Sequence, residues 1–138
     1  MLLRAIILTT IIATSQLVQA QHASFIGKTK AQVKEMMQAD YREFGQDNSI
    51  TRQQFNYLKY VNGSQTITWI IYFTDEDICR STKKVCDYVE YDFVLKELDE
   101  QYAQTGEMQW EYMSGGEPVQ VSLKEEDWYF TVREQRGQ

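Results

Sequence analysis

The run Thr66–Phe73, Thr-Ile-Thr-Trp-Ile-Ile-Tyr-Phe, constrains the fold more than any other stretch of this chain. Ile67, Trp69, Ile71 and Phe73 alternate with Thr66, Thr68, Ile70 and Tyr72, the period-2 pattern of a half-buried strand. The run follows Asn62-Gly63, the dipeptide best suited to the two positive φ angles of a type I′ hairpin. Phe55–Val61 is therefore expected to pair with it.

The remaining elements fall around that hairpin. Thr29, with Gln32 three residues on, forms a capping-box pattern at a helix start. Val33, Met36, Met37, Tyr41 and Phe44 continue it as one apolar stripe, and Gly45 sits where the helix would end. A methionine stripe at this spacing is ordinary core packing rather than a ligand box. Gln21–Phe25 reads as a loose leader and Gln46–Gln53 as a polar connector. After the hairpin, Thr74–Asp77 is a turn and Ile78–Val85 a third strand. Asp87 and Glu90 open a second helix, carried by Tyr91, Val94, Leu95, Leu98 and Tyr102 and ended by Gly106. Met108–Tyr112, Val119–Leu123 and Trp128–Val132 then alternate as three strands, and Glu134–Gln138 reads as a frayed tail. Tyr60–Ser64 resembles Tyr112–Gly116 at an offset of 52, and the same offset lays Ile67, Trp69 and Ile71 over Val119, Val121 and Leu123. Duplication and the general likeness of hairpins both account for that echo. The expected fold class is α+β: an antiparallel sheet with two helices on one face, in αβββ-αβββ order.

The first twenty residues stand apart. Arg4, the apolar run Ala5–Ala13 and the Val18-Gln19-Ala20 ending have the layout of a secretory signal peptide. Polar Thr9, Thr10, Thr14, Ser15 and Gln16 interrupt the run well short of the about 20 residues a membrane span needs. The expectation is a signal peptide at 1–20 and a single domain at 21–138, secreted or periplasmic, with no membrane insertion after cleavage. Without Arg4, thirteen Lys and Arg face twenty Asp and Glu, a net charge of −7. That balance repels phosphate backbones and anionic bilayers, so nucleic acid is set aside as a partner.

The chemistry-bearing residues are few. The one histidine, His22, lies in the leader, which removes Ser-His-Asp, Cys-His and multi-histidine metal sites. The acids of Asp75-Glu76-Asp77 and Glu125-Glu126-Asp127 read as solvated turns. The first lacks the sixth-position glycine and twelfth-position glutamate of a calcium loop. No cofactor or metal site is expected. Cys79 and Cys86 are the one cysteine pair. Along one strand they would stand about 23 Å apart, against the about 7 Å a disulfide allows. They are expected to be unbridged unless Arg80–Lys84 bends.

What remains is the sheet face turned away from the helices. Ile70, Tyr72 and Tyr129 are expected there. A two-residue turn at Asn62-Gly63 adds Phe55 and Tyr57, and a three-residue loop instead adds Leu58 and Tyr60. Tyr57, Ile70, Tyr72 and Tyr129 form the candidate binding set. Exposed tyrosines suit protein recognition, and cross-strand pairing that only stiffens the sheet is the competing reading.

Three resemblances follow from these residues. Ile26-Gly27-Lys28-Thr29 leading to Val33 resembles the start of the SmpA/BamE-like envelope modules. The two α-then-β units in tandem resemble the β-lactamase-inhibitor-protein-like architecture. Trp128–Val132, Trp-Tyr-Phe-Thr-Val, is similar to strings in small secreted proteins of unassigned function. With few chemistry-bearing residues and a tyrosine-bearing sheet face, the expected function is a non-enzymatic binding or interaction module of the cell envelope or exterior, with a protein partner and, as the second resemblance implies, an inhibitor-like role among its readings. The alternatives are a small hydrolase using paired carboxylates and a structural or assembly factor of the envelope.

Overall fold

The structure, a computed structural model, describes residues 24–49 and 54–137. The signal-peptide segment 1–20, His22 and most of the far end of the polar connector lie outside the described residues. In chain order the elements are helix α1 (Lys30–Asp40), strands β1 (Phe44–Gln46), β2 (Tyr57–Asn62), β3 (Ile67–Phe73) and β4 (Cys79–Cys86), a 3-10 turn (Tyr88–Glu90), helix α2 (Tyr91–Gln101), and strands β5 (Ala103–Gly106), β6 (Gln109–Ser114), β7 (Glu117–Glu125) and β8 (Phe130–Arg136). All eight strands form one antiparallel sheet in the order β1-β2-β3-β4-β8-β7-β6-β5.

This corrects the expected αβββ-αβββ arrangement with two helices on one face. The described residues are mostly sheet, with four strands after each of two short helices. The two additional strands are its edges, β1 and β5. Neither carries an apolar alternation, because each is three or four residues long and is held by backbone pairing to β2 or β6. The first helix ends at Asp40 rather than at Gly45, and Phe44 and Gly45 belong to β1. The second ends at Gln101 rather than at Gly106. The last strand runs on to Arg136, so Glu134–Arg136, expected in a frayed tail, belong to a central strand, and Trp128, expected to begin it, precedes it, 88% exposed.

The start of α1 follows the local chemistry read from the sequence. Thr29 Oγ1 accepts from the Gln32 amide at 3.2 Å, and Gln32 Oε1 accepts from the Thr29 amide at 2.9 Å. The described end of the leader, Ser24 and Phe25, is tied down, as is the segment that follows it. Phe25 and Ile26 are buried, Gly27 donates its amide to the Cys79 carbonyl, and the Cys79 amide donates to Lys28 O. Gly27 takes φ +83°, and a Cβ there would stand 2.9 Å from Arg136 Nη2.

The two tight connections also exchange roles. The β2–β3 pairing matches Val61 with Thr68, so Asn62-Gly63 is not a two-residue turn. Asn62 closes a longer loop instead: its Oδ1 accepts from the Thr66 and Ile67 amides, both at 2.9 Å. The positive φ falls on Gln65 rather than Gly63. A two-residue loop occurs at Gly115-Gly116, where Ser114 pairs with Glu117 and both glycines have positive φ.

Two apolar clusters fill the covered side. Around Trp69 gather Phe25, Val33, Met37, Leu58, Tyr60, Ile71, Phe73, Cys79 and Val119. Tyr41 meets Trp69 edge-on at 4.9 Å between ring centres. The second cluster joins Val94 and Leu98 of α2 to Cys86, Trp110, Val121, Leu123, Phe130 and Val132.

Candidate functional site

The register of the strands places the side chains of the sheet's other face in transverse rows, because directly paired antiparallel residues point the same way. One row runs Tyr57–Tyr72–Ser81–Gln135–Gln120–Glu111 across β2, β3, β4, β8, β7 and β6. The next runs Lys59–Ile70–Lys83–Arg133–Ser122–Gln109 over the same strands. A third runs Val61–Thr68–Val85–Thr131–Lys124.

Three of the four candidate binding residues come together here. Tyr57 and Tyr72 are direct cross-strand partners with ring centres 6.5 Å apart, and Ile70 occupies the adjacent row. The observed loop pairs odd with even positions, as a two-residue turn would, which is why Tyr57 rather than Leu58 or Tyr60 joins Tyr72. Leu58 and Tyr60 are buried on the covered side. Phe55 precedes β2 and is exposed. Tyr129 stands apart, in the turn before β8, where its carbonyl accepts from the Glu126 amide at 2.8 Å. From the row of Tyr72 to that end of β8 is five residues along and two strands across, about 20 Å.

Reasoning from sequence missed the charge on this face. Its rows carry Lys59, Lys83, Lys124 and Arg133 against one carboxylate, Glu111, although the chain as a whole is acidic. Lys59 pairs with Asp47 at 3.2 Å and Lys124 with Glu126 at 3.2 Å. Lys83 and Arg133 are each other's direct partners across β4 and β8, and among the described residues neither forms an ion pair.

On the covered side, a cavity of about 70 Å³ lies where the two halves meet, lined by Tyr41, Trp69, Lys84, Glu97, Tyr102 and Glu134 among others. That volume has room for a few water molecules rather than a metabolite. Lys84 Nζ sits 4.2 Å from the centre of the Trp69 ring, so the aromatic wall already has a resident cation. Trp69 Nε1 is buried with no hydrogen-bond partner among the described residues, whereas Trp110 Nε1 donates to Asp99 at 2.9 Å. Glu134 accepts from Thr82 Oγ1 at 3.1 Å and from Tyr102 at 3.4 Å. Burial raises the phenols around it: Tyr41 to about 12, and Tyr102 and Tyr112 further, with the Glu134 charge the next contribution at each. Glu97 and Glu134 both line the cavity.

A second exposed surface lies at the end of the molecule near Tyr129. Val89 is 75% and Phe93 67% exposed, beside Tyr88, whose hydroxyl donates to the Glu126 carbonyl of the loop carrying Trp128. Tyr91 donates to Glu125 at 2.6 Å, which lifts its phenol to about 12.

Cys79 and Cys86 occupy the two ends of β4, buried and unbridged. Burial raises their thiols to about 12 and about 11. Among the described residues no group of three or more His, Cys, Asp and Glu could hold a metal ion, and no helix is long and apolar enough to cross a membrane. Compared with protein-family models, with curated proteins and with solved structures, the chain matches none. The likenesses to SmpA/BamE-like and β-lactamase-inhibitor-protein-like modules therefore lend no residue roles to this site.

Proposed function

We propose that this chain is a non-enzymatic protein-interaction module of the cell envelope or exterior, which docks its partner on the sheet face that carries Tyr57, Ile70 and Tyr72. The observation that carries the reading is the grouping of Tyr57, Tyr72 and Ile70 in adjacent rows of that face. Tyrosines on a rigid sheet present much contact area at little entropic cost, and such anchors dominate interface energies. The export signal read in residues 1–20 supports the address.

Site-specific photocrosslinking in the producing cell tests this. A photoreactive residue at position 72 is expected to trap a protein, and one at Lys34 on the exposed side of α1 is not. Trapping at position 128 with none at 72 would move the docking surface to the aromatic end around Val89 and Phe93. No trapping at either would remove the interaction reading.

A further inference from the structure

The row next to Tyr57 and Tyr72 specifies what kind of protein surface would fit there. β4 and β8 are the fourth and fifth strands of eight, so Lys83 and Arg133 stand in the middle of the sheet. Like charges directly opposite on neighbouring strands destabilise a sheet. Nearby cations on the face are neutralised locally, Lys59 by Asp47 and Lys124 by Glu126, whereas among the described residues these two have no ion-pair partner. The arrangement runs against the composition too, because acids outnumber bases twenty to fourteen in this chain. A folded chain that keeps two opposed, unneutralised cations at the centre of its uncovered face presents a site complementary to negative charge.

We propose that the row Lys59–Ile70–Lys83–Arg133 receives an acidic segment of a partner protein, whose carboxylates pair with Lys83 and Arg133 while Ile70, Tyr57 and Tyr72 bury its apolar neighbours. This inference rests on the docking reading above and names the partner's chemistry. Arg133 offers a planar fork that binds a carboxylate through two parallel hydrogen bonds, and Lys83 adds a point charge beside it. The tyrosine and isoleucine side chains favour a polypeptide over a free anion, since they supply apolar contact that a phosphate would not use. The six-strand row spans about 24 Å, the reach of an extended peptide of about eight residues.

The test is a titration of the full chain with synthetic peptides of about eight residues, one alternating glutamate and threonine, the other lysine and threonine. The acidic peptide is expected to bind at least about tenfold more tightly at low salt, with affinity falling as salt screens the pairs. Lys83→Ala and Arg133→Ala should each remove most of that preference, and Arg133→Lys should keep part of it. Because each alanine also relieves the like-charge opposition, melting midpoints should hold or rise while binding falls. A merely misfolded variant would lose both its midpoint and its binding. Equal binding of the two peptides, or tighter binding of phosphatidylglycerol vesicles or of inorganic phosphate than of the acidic peptide, would overturn the proposal. So would self-association through this face that Arg133→Ala abolishes, since the occupant would then be a second copy. If the acidic preference is missing while a probe at position 72 still traps a protein, the acidic partner is wrong and the docking face stands. If position 72 traps nothing, both fall.

Discussion

Thr82 and Glu134 stand directly opposite each other on β4 and β8, the strands that join the two halves, with the Thr82 hydroxyl donating to Glu134 Oε2 at 3.1 Å. Their separation in the chain is 52, the offset of the internal echo between the hairpins, so equivalent positions of the two halves meet at this pair. Around it lie Tyr41, Tyr102 and Tyr112, whose phenols burial and the Glu134 charge hold in the neutral form. A phenol whose folded pKa is raised above the ordinary value near 10 contributes stability that is complete below pH 10. That stability is lost as pH rises toward the folded value, about 12 for Tyr41. The protein should therefore lose stability between about pH 10 and 12, as read by denaturant midpoints across that range. Phenolate absorbance should show Glu134→Gln lowering the titration of these tyrosines, because the charge opposing their ionisation is gone. An unchanged profile in Glu134→Gln would place that charge elsewhere.

The helix stripes predict a graded set of losses. Met37→Ala and Leu98→Ala each remove a buried side chain and should cost about 2–5 kcal/mol through lost burial and the cavity left behind. Lys34→Ala and Lys96→Ala, on exposed positions of α1 and α2, should stay within about 0.5 kcal/mol. Denaturant titrations that gave equal losses at both sets would contradict the packing described.

Asn62 holds the β2–β3 connection through its side chain rather than through a tight turn. Asn62→Ala leaves the Thr66 and Ile67 amides without their acceptor and should cost about 1–3 kcal/mol. Gly63→Ala should cost little, since that position has ordinary φ and open space around it. A larger loss at Gly63 than at Asn62 in thermal melts would restore the type I′ turn.

Much of the local design was legible in the residues, and the global pairing was not. The Thr29–Gln32 box, the alternation of Thr66–Phe73 and the stripe of α2 rest on neighbours within four residues, so spacing alone exposes them. The edges β1 and β5 escaped because Phe44–Gln46 and Ala103–Gly106 carry no apolar period and gain their structure from the strand beside them. Phe25 was misread because its burial depends on the distant Tyr41 and Trp69 rings. The same limit applied at the candidate site. The faces of Ile70 and Tyr72 follow from alternation within one strand. The opposition of Lys83 and Arg133 depends on β4 meeting β8, a pairing across the two halves that no local pattern announces. Glu134, read as part of a tail, became central for that reason.

The cysteines give a prediction in which folding itself is the switch. Buried thiols held protonated up to about pH 11 should resist alkylation in the native protein. In denaturant without reductant, mass spectrometry should find both sulfurs modified. Modification of neither before reduction would mean a bridge, and β4 would have to bend between Arg80 and Lys84.

The measurement that bears most directly on the docking face compares Tyr72→Ala with its parent, recording both affinity for the protein trapped at position 72 and the melting midpoint. The account predicts a loss of about 2 kcal/mol in binding, roughly thirtyfold. Stability should fall only by the loss of one cross-strand pair, about 1 kcal/mol or less. Unchanged affinity with a clearly lowered midpoint would contradict it, and would make Tyr57 and Tyr72 a brace within the sheet rather than a surface for another protein.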